Sequence, residues 1–314
     1  MKSSRYAYVW CIVAQTAIFG FGNAITKIAY DSISPFWCLA IRFGLALLVF
    51  ALFFGKRIVN QLRTAQMKDW LPAALCMAVS YIACNVALNL TSATNVGFLV
   101  ALPIVFTPII AAVVQKRSYR LIHVPFQGMA VVGLYLLCCN GGQFSFGLGE
   151  VLALVAAAAL AGALVFGERG LKNLDVVMVS AAQIGATFVI SIVGALLFEP
   201  VIVVSSIQPI AWAIIVFLAL LSTCLTFALQ NVALTHLSAT TVSMVLCGEP
   251  LFTAGFSWLF LGEMLTGVGY VGATLIVVCV LAETYLDGRT APICLPRTER
   301  QRVRSHAEVP DGMF

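Results

Sequence analysis

The chain has 314 residues, of which 61% are apolar and only 10% charged, with a formal net charge of +5. A soluble domain carries about 25% charged residues, and no water-soluble fold of this length hides that much apolar surface at a mean hydropathy of +1.00. Composition therefore excludes a soluble globular protein and leaves a polytopic helical membrane protein, because about 20 apolar residues cross the hydrocarbon core as a helix.

Turn-formers and charges divide the sequence into ten expected spans, near residues 6–29, 35–55, 70–90, 95–115, 120–140, 148–167, 175–198, 209–231, 240–262 and 266–284, joined by short or polar breaks. The first is too long for the apolar core of a signal peptide and lacks a small-residue cleavage signal, so it reads as a retained span. Lys and Arg near span ends stay on the cytoplasmic side. With the N-terminus inside, Lys2, Arg5, Lys56, Arg57, Arg63, Lys68, Lys116, Arg117, Arg120, Arg169, Lys172 and the arginines of the tail all fall on that side. Only Lys27 and Arg42 lie within spans, and the external loops hold no basic residue. Both termini are expected in the cytoplasm of a cell whose inner membrane holds the protein. From Tyr285 onward, prolines among charges read as a disordered tail. Nine of the ten cysteines lie in apolar runs without C-x-x-C or Cys/His spacing, so they read as buried thiols and no metal site is expected.

The segment NVALNLTSATNV, Asn85 to Val96, returns 146 residues later as NVALTHLSATTV, Asn231 to Val242, with eight of twelve positions identical. After a one-residue shift Pro103 and Pro250 also coincide, which sets Leu102 opposite Glu249. The chain is therefore expected to be two related halves, 6–140 and 148–284. Five spans per half is an odd number, so the second half enters the membrane upside down. Loop charges agree: GKRIVNQLRTAQMKD is basic where its counterpart EPVIVVSSIQP has no basic residue, and QKRSYR is basic where GEMLT is acidic. The expected fold is an all-α integral membrane protein of ten transmembrane helices in two inverted five-helix repeats. Many secondary transporters use that arrangement to make two faces that open alternately.

AITK near the end of span 1, the Arg of WCLAIRFGLAL early in span 2, the paired SAT and Pro segments, and LFLGEMLTGVGYVGATLIVVCVLAE at the end of the second half resemble the drug/metabolite transporter superfamily in its EamA-type branch. The resemblance covers residues 6 to 284. The sequence departs from the family pattern at Phe19-Gly20, where Trp-Gly is usual, and at Lys116, where a Glu is common, although its partner Glu263 is kept. Family members export amino acids, drugs or other metabolites, so the resemblance implies a transporter without naming its solute.

Glu249 is the chemical irregularity. It lies about nine residues into span 9, roughly 13 Å deep at ~1.5 Å per residue. An ionised carboxylate there costs about 2.5 to 3.5 kcal/mol on insertion scales, so it is expected to face a cavity or be protonated. Pro250 beside it removes a helix hydrogen bond. The residue reads as a site for a substrate amine or coupling proton, or as a neutral Glu bonded to a neighbouring helix. Arg42 cannot lose its charge and needs an anion, a carbonyl cage or an outward snorkel. It reads as a clamp for a substrate carboxylate or a partner of Glu249. Lys27 is shallower and either snorkels or faces the cavity. Asn23, Asn85, Gln183 and Asn231 are read as cavity lining, with the alternative that such residues are interhelical glue.

No nucleotide-binding loop, G-x-S-x-G or H-E-x-x-H motif is present. An enzyme is therefore not expected, nor a cofactor or a nucleic-acid partner, and uphill flux has to use an ion gradient or exchange. The expected partners are a small-molecule solute and the lipid bilayer, and a homodimer is left open. The resulting reading is an exporter of a small organic solute, with a membrane sensor or assembly scaffold as the alternative.

Overall fold

In the hydrocarbon core every backbone polar group has to be satisfied within its own segment, so apolar sequence of this kind folds as helix. The computed structural model describes residues 2–91, 93–115, 124–138, 147–202, 204–261 and 266–290. Their order is α1 (Lys2–Tyr30), α2 (Pro35–Thr64), α3 (Met67–Leu90), α4 (Ala93–Val100), α5 (Pro103–Gln115), α6 (Val124–Cys138), α7 (Leu148–Gly170), α8 (Val176–Phe198), α9 (Pro209–Ala219), a π-helical stretch (Leu220–Leu225), α10 (Thr226–Leu234), α11 (Ala239–Leu246), α12 (Glu249–Leu261) and α13 (Gly267–Thr290). Among the described residues seven stretches are long and apolar enough to cross a membrane, while Val124–Leu137 and Gly267–Ala282 are shorter apolar helices.

Helix runs through all ten expected segments, but three are not continuous rods. The fourth breaks between α4 and α5, the ninth between α11 and α12, and the eighth is interrupted by the π-helical stretch. Proline explains the first two. Pro103 and Pro250 have no N–H to give, so the carbonyls four residues earlier lose their helical donors and the turn tightens, with Leu102 N donating to Leu99 O and Gly248 N to Val245 O. The two broken segments match in length, 8 residues then 13, and every boundary is displaced by 146 residues. By helix start, Pro103 rather than Leu102 stands where Glu249 stands.

The basic stretch read as a loop after span 2 is mostly helix, because α2 continues to Thr64 and only Ala65 and Gln66 separate it from α3. Lys, Arg, Gln and Leu are good helix formers. This extension carries one end of a clamp between α2 and α8. Asp175, the N-cap of α8, accepts from Met178 N, and its other oxygen accepts from Arg57 Nε at 2.5 Å and Gln61 Nε2 at 2.8 Å. At the opposite end Glu199, just past α8, accepts from Ser34 Oγ (2.6 Å), Phe36 N (3.0 Å) and Trp37 N (3.1 Å) at the start of α2. A carboxylate at a helix N-terminus meets unpaired N–H groups and the positive end of the macrodipole. At the C-terminal end, α13 continues to Thr290, beyond the boundary expected at 284; residues 291–314 lie outside the described ones.

The remaining long pairings are α3 with α7 and α6 with α13. Large apolar side chains such as Leu52, Phe53, Val113 and Phe198 are about three-quarters exposed on the outer surface, as a bilayer solvent allows. The α6–α13 crossing is backbone against backbone: a Cβ on Gly272 would lie 2.5 Å from Gly133 O and 2.6 Å from Leu137 N. Gly272→Ala is therefore expected to destabilise the protein by about 1–3 kcal/mol through overpacking. Gly128→Ala, where nothing lies within 4 Å, is expected to be neutral or stabilising by up to about 1 kcal/mol. Thermal unfolding of the two purified variants in the same detergent measures the contrast.

Candidate functional site

Leu39, Arg42, Phe43 and Ala46 follow helical spacing on α2 and are all buried. Arg42, 7% exposed, is thereby carried into the interior with its permanent charge. Its guanidinium finds acceptors on the π-helical stretch. Nε donates to Thr223 Oγ1 at 2.8 Å, and Nη2 to the Ser222 carbonyl at 2.8 Å and to Ser222 Oγ at 3.2 Å. A π-helical turn misaligns the usual i to i−4 ladder, and here a backbone carbonyl of that turn receives the cation. Phe43 and Tyr81 flank the charge, each ring centroid 5.5 Å from the guanidinium carbon. No ion pair between Arg42 and Glu249 is present among the described residues.

Glu249 is the first residue of α12, immediately after the break. Its Oε1 accepts from Asn23 Nδ2 on α1 at 2.5 Å. Asn23 is exposed and Glu249 half-buried, so the pair borders open space. Two glycines of α1 allow this approach. A Cβ on Gly20 would lie 2.8 Å from Phe252 Cβ and 2.9 Å from Thr253 N of α12, and one on Gly22 would lie 3.1 Å from Ser222 Oγ. The α1 backbone is thus wedged between the carboxylate-bearing helix and the turn that holds Arg42.

Asn85 accepts a hydrogen bond from Tyr30 and donates to the Tyr81 carbonyl at 2.7 Å, which ties α1 to α3 beside Arg42. Gln183 and Asn231 lie elsewhere. Both are fully buried and bonded to each other at 2.9 Å, between α8 and α10. Gln15 and Gln230 form a similar buried pair. The Lys27 side chain, Lys116 and Glu263 lie outside the described residues. Of the expected site residues, the structure therefore pairs Asn23 with Glu249, sets Arg42 and Asn85 against Tyr81, and joins Gln183 to Asn231 elsewhere.

Several participants went unread in the sequence. Tyr81, Tyr30 and Thr223 have no local signature of a site. Glu168 near the end of α7 is 7% exposed and accepts from Ala239 N, the first residue of α11, at 2.9 Å and from Gln115 Nε2 at 3.3 Å. Its only sequence signal was a glutamate flanking a span.

The EamA-like transporter family model matches residues 6–139 and again residues 147–282. An uncharacterized transporter of Archaeoglobus fulgidus is 28% identical over 264 residues, covering 84% of this chain and 81% of that one. The uncharacterized transporter YoaV of Bacillus subtilis is 24% identical over 88% of this chain and 97% of its own. The threonine/homoserine exporter RhtA of Escherichia coli is 28% identical over 277 residues, 87% of this chain and 89% of its own. A solved crystal structure superposes with a TM-score of 0.77 over 92% of this chain and 99% of that chain at 18% identity, which shows the fold alone.

The cage around Arg42 is directly testable. Thr223→Val keeps shape and removes the acceptor for Nε, leaving a buried charged donor unpaired. A loss of about 1–3 kcal/mol is expected, read as a lowered unfolding temperature, with Thr223→Ser retaining most of the wild-type stability.

Proposed function

Because the chain belongs to the EamA-like transporter family, we propose that it is an inner-membrane secondary transporter that exports a small organic solute of the amino-acid kind. The proposed motion is alternating access between two inverted halves, residues 6–140 and 148–284, with ten spans and both termini in the cytoplasm. The double family match supports this reading. So do the equal 8- and 13-residue breaks and the contact pattern, in which α2 meets α8, α6 meets α13, and the α1–α12 contact answers the α5–α7 contact.

The observation that carries the assignment is the Asn23–Glu249 pair at a helix break, open on one side. A carboxylate in that position binds either a substrate ammonium or a proton, and the two compete. Proton entry then releases the amine, which couples flux to a proton gradient; direct exchange of solutes uses the same competition. Arg42 stays charged in every state, so its role is orientation: Nε and Nη2 hold the π-helical turn, and the positive charge draws a substrate carboxylate. Asn85 supports that arrangement through Tyr30 and Tyr81. Gln183 and Asn231 stand behind it as buried support, and Lys27 sits one helical turn beyond Asn23 on α1. Threonine and homoserine, named for the RhtA relatives, are the first solutes to try.

In proteoliposomes, Glu249→Gln is expected to abolish pH-dependent flux while the protein stays folded and monodisperse, since the amide cannot take up or release the proton. Unchanged flux with an unchanged pH profile would remove Glu249 from coupling. A counterflow screen over a solute library that finds no flux with wild-type protein would replace transport with a scaffold role.

A further inference from the structure

One set of groups outside the Arg42–Glu249 site converges on a single point. Ser180 and Gln183 on α8 and Asn231 on α10 are all 0% exposed, and their hydrogen bonds run in one direction only. The Ser180 hydroxyl has one proton and gives it to the Phe227 carbonyl at 3.3 Å, so toward Asn231 it accepts. Asn231 therefore presents Nδ2, 2.8 Å from Ser180 Oγ, and the same NH2 group donates to Gln183 Oε1 at 2.9 Å. Both amide orientations follow, and they leave Asn231 Oδ1 and Gln183 Nε2 buried without partners among the described residues. The two atoms face the same spot. A Cβ on Gly167 of α7 would lie 3.8 Å from Asn231 Oδ1 and 3.9 Å from Gln183 Nε2, with Leu234 Cδ1 closing the spot at 3.5 Å.

We infer that this is a binding site for one water molecule, held between Gln183 Nε2 and Asn231 Oδ1 in the cradle beside Gly167. Water accepts from an amide N–H and donates to an amide oxygen, which is the pairing these two atoms require, and buried waters occupy such otherwise unsatisfied positions. A cation would gain one oxygen and meet the N–H group head-on; an anion would meet Oδ1. The Gln15–Gln230 pair also leaves a donor and an acceptor unpaired, yet neither residue is among the near neighbours of a described glycine. The water joins α8 to α10 beside the α7 backbone at Gly167. The counterpart Asn85 is held directly by Tyr30 and Tyr81.

The test compares Gly167→Ala with Gly167→Ser in the purified full-length protein. The alanine methyl makes only ordinary contacts at these distances, and Ala is a better helix former than Gly, so a dry site predicts a raised unfolding temperature. A water site predicts the opposite sign: the methyl displaces the water, strands both amides and lowers the unfolding temperature, whereas the serine hydroxyl replaces donor and acceptor and restores it. An unchanged or raised temperature for Gly167→Ala overturns the inference. Equal losses in both variants indicate crowding and overturn it as well. An experimental structure of the unmodified protein at water-resolving resolution is expected to show density within hydrogen-bond distance of both atoms; a direct Gln183 Nε2 to Asn231 Oδ1 bond in its place is the contrary result.

Discussion

A guanidinium cannot shed its charge inside a membrane, where a central cation costs about 2.5–3.5 kcal/mol on insertion scales, and much of the interior is arranged around that constraint. Arg42 comes from the first half of the chain, and it donates hydrogen bonds to Ser222 and Thr223 of the second. The cation thus joins the halves through its need for acceptors. It also accounts for the irregular turn: six residues of π-helix have poorer backbone geometry than α-helix, and they persist here because Ser222 O is worth more to a buried cation than to its own helix. Gly22 and Gly20 of α1 then let that turn and α12 close on opposite sides of one backbone.

The two broken helices share a second logic. A break exposes the N-terminal N–H groups of the following piece, and at both N-termini in the second broken segment a carboxylate is present. Glu168, supplied by α7, meets the first N–H of α11, while α12 begins with its own Glu249. One acid is sealed within the bundle and the other borders open space. Chemically alike, they differ in what can reach them, and that difference separates a fixed anchor from a group able to exchange partners.

The duplication, the basic-loop pattern and the prolines made the broad architecture legible, because each is a local or periodic signal. Glu249 and Asn23 were legible as polar residues in apolar runs, and they are hydrogen-bonded to one another. The π-helical turn was not, since LLSTCL contains neither Gly nor Pro and differs from ordinary helix only because Arg42 sits against it. Tyr81 resembles any core aromatic until its neighbours are known. Gln183 was read as cavity lining or interhelical glue, because a polar residue in an apolar run does not say what covers it; Asn231 covers this one. Glu199 was read as part of a loop for the same reason, its partners on α2 being more than a hundred residues away in the chain.

That last distance bears on how the molecule is made. The start of α2 is completed by Glu199, 163 residues downstream of Phe36. At ribosomal speeds of roughly 5–20 residues per second, α2 therefore waits on the order of ten to thirty seconds for its terminal anion. During that interval its first amides depend on water and lipid headgroups. A ribosome stalled before α8 releases a half whose second helix is unfinished at both ends, because Asp175, the partner of Arg57, is also missing. Quality-control machinery that surveys nascent membrane proteins would meet an exposed basic helix end and uncapped amides, and would have a physical basis for telling an incomplete chain from a finished one.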